Sequence, residues 1–291
     1  MSTALAPSVT TRDPKGLKFV SVVEDAYNKA KLSDEEAQCV NDTSGLAELV
    51  GKFIAESRRP NKFRKEEVSS NSKYPKGYKG PKPISEQIEV LAKIFGLSLG
   101  LASKFVEKTL PTLTLPDGAE GWFAIPRWEK LGSSYGEAVD KVLTMIASKR
   151  KFYSYREGQF TPDRFRLNAR TAHALDLLAE QQKGDILIVG GQFGKRHAGK
   201  SVRRAREVMV GPEFGAHTVA AGSILLTHPE RLVSHEDLWF DVPGDEFDPG
   251  AGGSFDFAPF FVFLDGRVKF DSFWVYFPYE HYGSVSLFLP Q

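Results

Sequence analysis

The stretch FFVFLDGRVKFDSFWVYF, residues 260–277, constrains the fold more than any other part of the chain. Asp265-Gly266 stands between two runs dense in aromatic and β-branched residues, and this pair favours the tight turn of a two-stranded antiparallel hairpin. Side chains alternate along a strand. Phe270, Trp274 and Tyr276 therefore share one face, and Phe273, Val275 and Phe277 the other. Large apolar groups on both faces predict that both are covered, by the core or by a subunit contact.

Upstream the pattern is helical. Ile88, Leu91, Ala92, Phe95, Leu99, Ala102 and Val106 recur at helical spacing, which predicts one helix over 85–108 with a single buried face. Ser33 with Glu36 forms a capping-box pattern that opens a helix carrying Leu46, Leu49, Val50 and Phe53. Ser134 with Glu137 opens another, and Thr161-Pro162 predicts a third that runs to Gln182 and stops at Gly184. Beyond it, Ile186 to Val189 read as a buried strand and Ser201 to Met209 as a short basic helix. Residues 215–226 fit either a buried helix or a strand.

Helices first and strands last give an α+β class, with a helical N-terminal half and an antiparallel β-rich C-terminal region. The expected divisions are a disordered tail over 1–16, a helical segment over 17–57, a basic Pro/Gly/Lys linker over 58–84, and a main α+β domain over 85–291.

Formal net charge is +1, so attraction to a polyanion has to come from a local patch. Cys39 is the single cysteine, which excludes an intramolecular disulfide and a multi-cysteine zinc site. The N-terminus lacks the basic start and apolar run of a secretory signal, and IFGLSLGLAS is too short to span a bilayer. A cytoplasmic protein without membrane contact is expected. The six histidines are scattered without a zinc-binding pattern, and the acidic stretch 241–248 does not fit an EF-hand loop; no metal site is expected.

Function turns on DILIVGGQFGKRHAGKSVRRARE, residues 185–207. A strand-like run leads to Gly194, then four residues, then Gly199-Lys200-Ser201. Those residue types suit a phosphate cradle of backbone amides backed by a lysine and a helix N-terminus. Downstream, Leu238-Trp239-Phe240-Asp241-Val242-Pro243-Gly244 resembles the strand and Asp-x-x-Gly segment of P-loop GTPases, with Thr218 between the two motifs. The resemblance implies a nucleotide and Mg²⁺ as cofactors. Gly194, Gly199 and Lys200 would hold the phosphates, Ser201 the magnesium, and Asp241 would lie near the metal. The chain departs from that family where GGQF separates the strand from Gly194 and where the following helix is short. It also lacks Asn-Lys-x-Asp: VKFD has no asparagine, and PNKFR places Arg64 where the aspartate belongs.

The reading preferred from sequence is a non-enzymatic binding or assembly protein that contacts an anionic partner, nucleic-acid backbone in particular. Lys195, Arg196, Lys200, Arg203, Arg204 and Arg206 would make the contact. RRPNKFRK and SKRKFYSYR are further basic runs, and Tyr153 and Tyr155 are suited to stack on single-stranded bases. The alternatives are a divergent P-loop nucleotide hydrolase and a self-assembling homo-oligomer built on the aromatic β region.

Overall fold

The structure, a computed structural model, describes residues 14–57 and 62–291. The chain divides into two compact units, Met1–Arg59 and Pro60–Gln291.

In the first unit, α1 (Pro14–Ala30) is followed by α2 (Asp34–Asp42) and α3 (Leu46–Ser57). Ser33 accepts from the Glu36 amide while the Glu36 carboxylate accepts from the Ser33 amide, which closes the expected capping box. The helix expected to continue from there to Phe53 is instead divided, because Gly45 takes φ +92° and turns the chain before α3. Residues 1–13 of the expected tail lie outside the described residues.

The second unit is α+β. Residues 62–83, expected as a linker, run along this unit as a strap with 58–61 outside the described residues. The Val68 amide donates to the Gly199 carbonyl, the Leu238 amide to Lys73, and the Ser70 hydroxyl to Glu280; Tyr78 is buried. Next come α4 (Ile84–Phe95) and α5 (Gly100–Lys108). The single helix expected over 85–108 is broken where Gly96 adopts φ +70° and caps α4.

Two sheets follow. The smaller has the order β1-β4-β11-β5, formed by β1 (Gly121–Pro126), β4 (Ile186–Gln192), β5 (Glu213–Gly215) and β11 (Ser286–Phe288). All its pairings are antiparallel. The larger sheet is built around β8 (Phe257–Leu264) and β9 (Arg267–Trp274), paired in register from Phe257↔Trp274 to Leu264↔Arg267. Asp265 and Gly266 have φ +53° and +70°, both positive as the tight hairpin turn requires. The other side of β8 pairs with β6 (Trp239–Asp241) and β7 (Asp245–Phe247). β3 (Phe165–Leu167) joins β7 antiparallel, whereas β2 (Phe152–Ser154) on β9 and β10 (Tyr282–Ser284) on β6 pair parallel.

α6 (Tyr135–Lys149) begins as expected, with Ser134 accepting from the Glu137 amide. α7 spans Ala169–Gln181 and starts later than Thr161-Pro162 suggests. Phe165 is drawn into β3 among the rings of Tyr135, Phe160 and Phe247, so Asn168 becomes the cap. The ambiguous stretch 215–226 is resolved as the end of β5 followed by α9 (Thr218–Thr227). α9 packs against α6 so closely that a Cβ on Gly222 would lie 2.6 Å from Val142 Cγ1. α8 (Val202–Val208) is the short basic helix.

Candidate functional site

Segment 194–201 joins β4 to α8, and its geometry is settled by where its amides point. Gly194 and Arg196 donate to Gln192 Oε1, and Lys195 to the Tyr74 hydroxyl. His197 donates to Gly194 O, Ala198 to Lys195 O, Gly199 to Tyr282 O, Lys200 to His197 O, and Ser201 to Glu66 O. Every backbone amide from Gly194 to Ser201 is thus committed within the chain, and a cradle needs amides that converge on an empty space. The glycines serve close packing instead. Gly199 has φ +77°, and a Cβ there would sit 2.1 Å from the Val68 carbonyl oxygen; at Gly194 the clash would be with Gly283.

The remaining members of the expected nucleotide site are engaged by other groups or buried. Ser201 Oγ donates to Glu66 and caps α8 at the Arg204 amide. Lys200 Nζ reaches the Arg196 carbonyl at 3.4 Å, and burial lowers its pKa. Asp241 lies in β6, where burial raises its carboxyl to about 8 against the opposing charge of Arg206. Thr218 gives both its amide and its hydroxyl to Asp245. β4 is flanked by antiparallel neighbours, not the parallel strands of a doubly wound nucleotide fold. Gly194, Gly199, Lys200 and Ser201, expected with Asp241 to hold a nucleotide and magnesium, turn their amides to partners within the chain.

The cations proposed for an anionic partner are also largely engaged. Arg203 makes paired hydrogen bonds to Glu66, and Arg204 binds Glu67 and Glu207. Burial alone would raise Glu66, but hydrogen bonds from Arg203 and Ser201 hold it below its usual value. Arg206 sends its guanidinium inward to the carbonyls of Pro243 and Asp245 at 2.8 and 2.7 Å. Arg196 bonds Glu213 at 3.3 Å, and Lys195 Nζ donates to Ser72 O at 2.9 Å, though both residues keep exposed surface. The acidic partners Glu66 and Glu67 were visible in FRKEEV, but no local pattern assigns them to arginines so far along the chain.

Two polar networks lie beneath this segment. Glu213 Oε1 accepts from Ser286 and from His197 Nε2 at 2.7 Å, which puts a His197 proton on Nε2; burial lowers the imidazole pKa against the pull of the carboxylate. Asp245 accepts from Thr218 and from the Tyr135 hydroxyl at 2.6 Å. Burial raises Asp245 to about 7 and lowers His217 to about 3. The first ties β5 to β11 and to the 194–201 segment, and the second ties α6, α9 and β7 together. In the acidic stretch, Asp248 caps the amides of Gly250 and Ser254, and Glu246 pairs with Arg166. Among the described residues no group of three His, Cys, Asp or Glu side chains is arranged to hold a metal.

The open chemistry of the second unit is aromatic. Beyond Ser272 the end of β9 and the turn that follows it are not covered as expected: Phe273, Trp274, Tyr276 and Phe277 are 45, 40, 41 and 51% exposed. Val275 between them is buried against Val202 and Ala258, and its carbonyl accepts from the Arg203 amide at 2.9 Å. This anchor fixes the neighbouring rings outward. Phe273 meets Phe277 edge to face at 5.5 Å, Trp274 packs on Phe257 at 4.1 Å, and the Arg203 guanidinium lies over both Phe63 and Tyr276. No protein-family model, curated protein or solved structure matches this chain. Tyr153 and Tyr155 extend the exposed aromatics along β9, because Tyr153 pairs in register with Lys269. Lys269 pairs with Asp265 and Arg156 with Asp271, whereas the exposed Arg267 and Lys151 make no ion pair among the described residues. No helix among the described residues is long and apolar enough to cross a membrane.

Proposed function

We propose that this is a binding and assembly protein that meets a second copy of itself through the aromatic surface at Phe273–Phe277. The carrying observation is that the rings of Phe273, Trp274, Tyr276 and Phe277 stand open around a buried Val275 that anchors the backbone between them. Interface cores are enriched in Phe, Trp and Tyr and depleted in charge, and preordered rings lose little conformational entropy on contact. Arg203, Lys269 and Arg156 beside the rings are neutralised by Glu66, Asp265 and Asp271, which suits a self-complementary protein contact better than a polyanion. Light scattering across a concentration series tests this. The wild type is expected to associate, and Phe273→Ser/Phe277→Ser to run as a monomer at concentrations where the wild type does not. A monomeric wild type at high concentration overturns the proposal.

Nucleic-acid contact is the second reading, favoured by the exposure of Tyr153 and Tyr155 and by the surface left on Lys195 and Arg196. It predicts a single-strand mobility shift that weakens with salt and weakens further in Tyr153→Ala/Tyr155→Ala. Arg203 and Arg204 are the wrong residues to remove in that test, since they hold Glu66 and Glu67.

A further inference from the structure

A groove of about 600 Å³ opens where the C-terminal ends of α4, α6 and α9 converge. Its wall is apolar: Val90 and Ile94 from α4, Ile146 from α6, Leu225 and Leu226 from α9, and Val233 beyond. Lys93, Lys149 and Arg150 stand around it. The charge there is not balanced. Glu230, the carboxylate lining the groove, lies 3.7 Å from Lys82. Arg150 is half-buried, and its guanidinium is held by the carbonyls of Pro229 and Leu232 over the Phe263 ring, with no carboxylate beside it. Burial accordingly lowers the Arg150 pKa, with no opposing anion. Among the described residues neither Lys93 nor Lys149 has an acidic partner. Three helix C-termini offset roughly half a charge each and still leave the rim cationic.

We propose that this groove binds an amphiphilic carboxylate of the fatty-acid class. The apolar tail lies on Ile94, Leu225 and Leu226, and the carboxylate sits between Lys93 and Lys149. The volume is in the range of small-molecule sites, and an apolar wall with a few convergent polar groups is how such sites achieve both affinity and orientation. A neutral apolar ligand leaves the rim charge unanswered, and a small inorganic anion leaves the wall uncovered. One ligand carrying both groups meets both demands. The site lies on different elements from the aromatic surface, so its fate is independent of self-association.

Calorimetry on the full chain with decanoate and decanol, each kept below its aggregation limit, tests the assignment. Decanoate is expected to bind at one site per chain and decanol about ten-fold more weakly, the equivalent of one charge-assisted hydrogen bond. Lys93→Ala/Lys149→Ala should weaken decanoate by about ten-fold or more and leave decanol unchanged, both lysines being exposed. Leu226→Glu should remove binding of both. Equal affinity for acid and alcohol, indifference to the lysine variant, or several equivalent sites overturns the proposal. So does a chain that takes an acidic amphipathic peptide on this groove but not decanoate, because the occupant is then a protein helix.

Discussion

Helices α3 and α4 carry one pattern and meet opposite fates. Leu46, Leu49, Val50 and Phe53 in α3 stand at i, i+3, i+4 and i+7, as do Ile88, Leu91, Ala92 and Phe95 in α4. The four side chains of α4 are buried, and Gln87 beside them locks the helix to β1 through the Ala124 amide and the Trp122 carbonyl. In α3 Leu49 is 64% exposed, and no described side chain between 19 and 53 is buried. Periodicity dictates that a helix has an apolar face; the rest of the chain decides whether anything covers it. A unit of three helices has too little interior to bury its own stripes, whereas the second unit closes two sheets and five helices over a common core.

The comparison is broken most directly at its strong end. Phe261 lies on β8, fully buried between the rings of Phe240 and Phe270. Phe261→Ala is expected to cost about 4 kcal/mol in denaturant unfolding. A loss under about 1 kcal/mol would mean that the core relaxes around the gap and that the two units differ less than their burial suggests.

Gly199→Ala examines the seam between strap and body. Its positive φ and the approach of the Val68 carbonyl make any side chain there both strained and obstructed. A loss of about 2 kcal/mol is expected, from the left-handed backbone and the displaced strap. Proteolysis should then cut within residues 62–83, which carry several lysines. If stability fell and the strap stayed protected, the strap would be held from elsewhere, through Tyr78 or Lys82.

The buried acids set a pH dependence that only the second unit can have. Burial raises Asp241 to about 8 and Asp245 to about 7, so the folded chain holds protons that the unfolded chain has released above its ordinary carboxylate pKa. Stability from these groups is complete at low pH and declines as pH rises towards 8. His217, lowered to about 3, acts oppositely, adding stability as pH rises to its unfolded value of 6.5. From pH 6.5 to 8 the carboxyls therefore dominate among these three groups. Asp241→Asn should flatten the decline there by up to about 1.4 kcal/mol per pH unit, read from unfolding midpoints in buffered series. An unchanged slope would show that Asp241 is already ionised in the folded chain.

The parts of this fold that were legible in the sequence are those fixed by neighbours along the chain. Asp265-Gly266 specifies its turn through positive φ at adjacent residues, and Ser134 caps through a donor three positions away. The α+β class followed from the order of such local signals. The candidate site was less legible because its meaning depends on pairing across the fold. Arg203 and Arg204 are basic residues in any reading, but Glu66 and Glu67 consume their charge from 137 positions upstream. Likewise, alternation placed Phe273 and Trp274 on opposite faces correctly and gave no notice that the covering layer ends at Ser272. The cationic groove draws on α4, α6 and α9, and no contiguous motif marks it.

Leu49→Ala tests the weak end of the comparison, where the smallest effect is expected. Truncating a buried leucine costs about 2–5 kcal/mol, whereas exposed substitutions fall within about 0.5 kcal/mol. At 64% exposure Leu49 belongs to the second group, so helicity and the unfolding midpoint should hardly move. The same measurement at rising protein concentration separates two meanings of that exposure. If the substitution becomes costly only when the chain is concentrated, the α3 stripe is buried between molecules, and self-association draws on both units. If it is costly even at high dilution, the stripe is covered within one molecule, and the contrast with α4 disappears. A change that stays within about 0.5 kcal/mol throughout leaves the aromatic end of β9 as the surface on which assembly has to be sought.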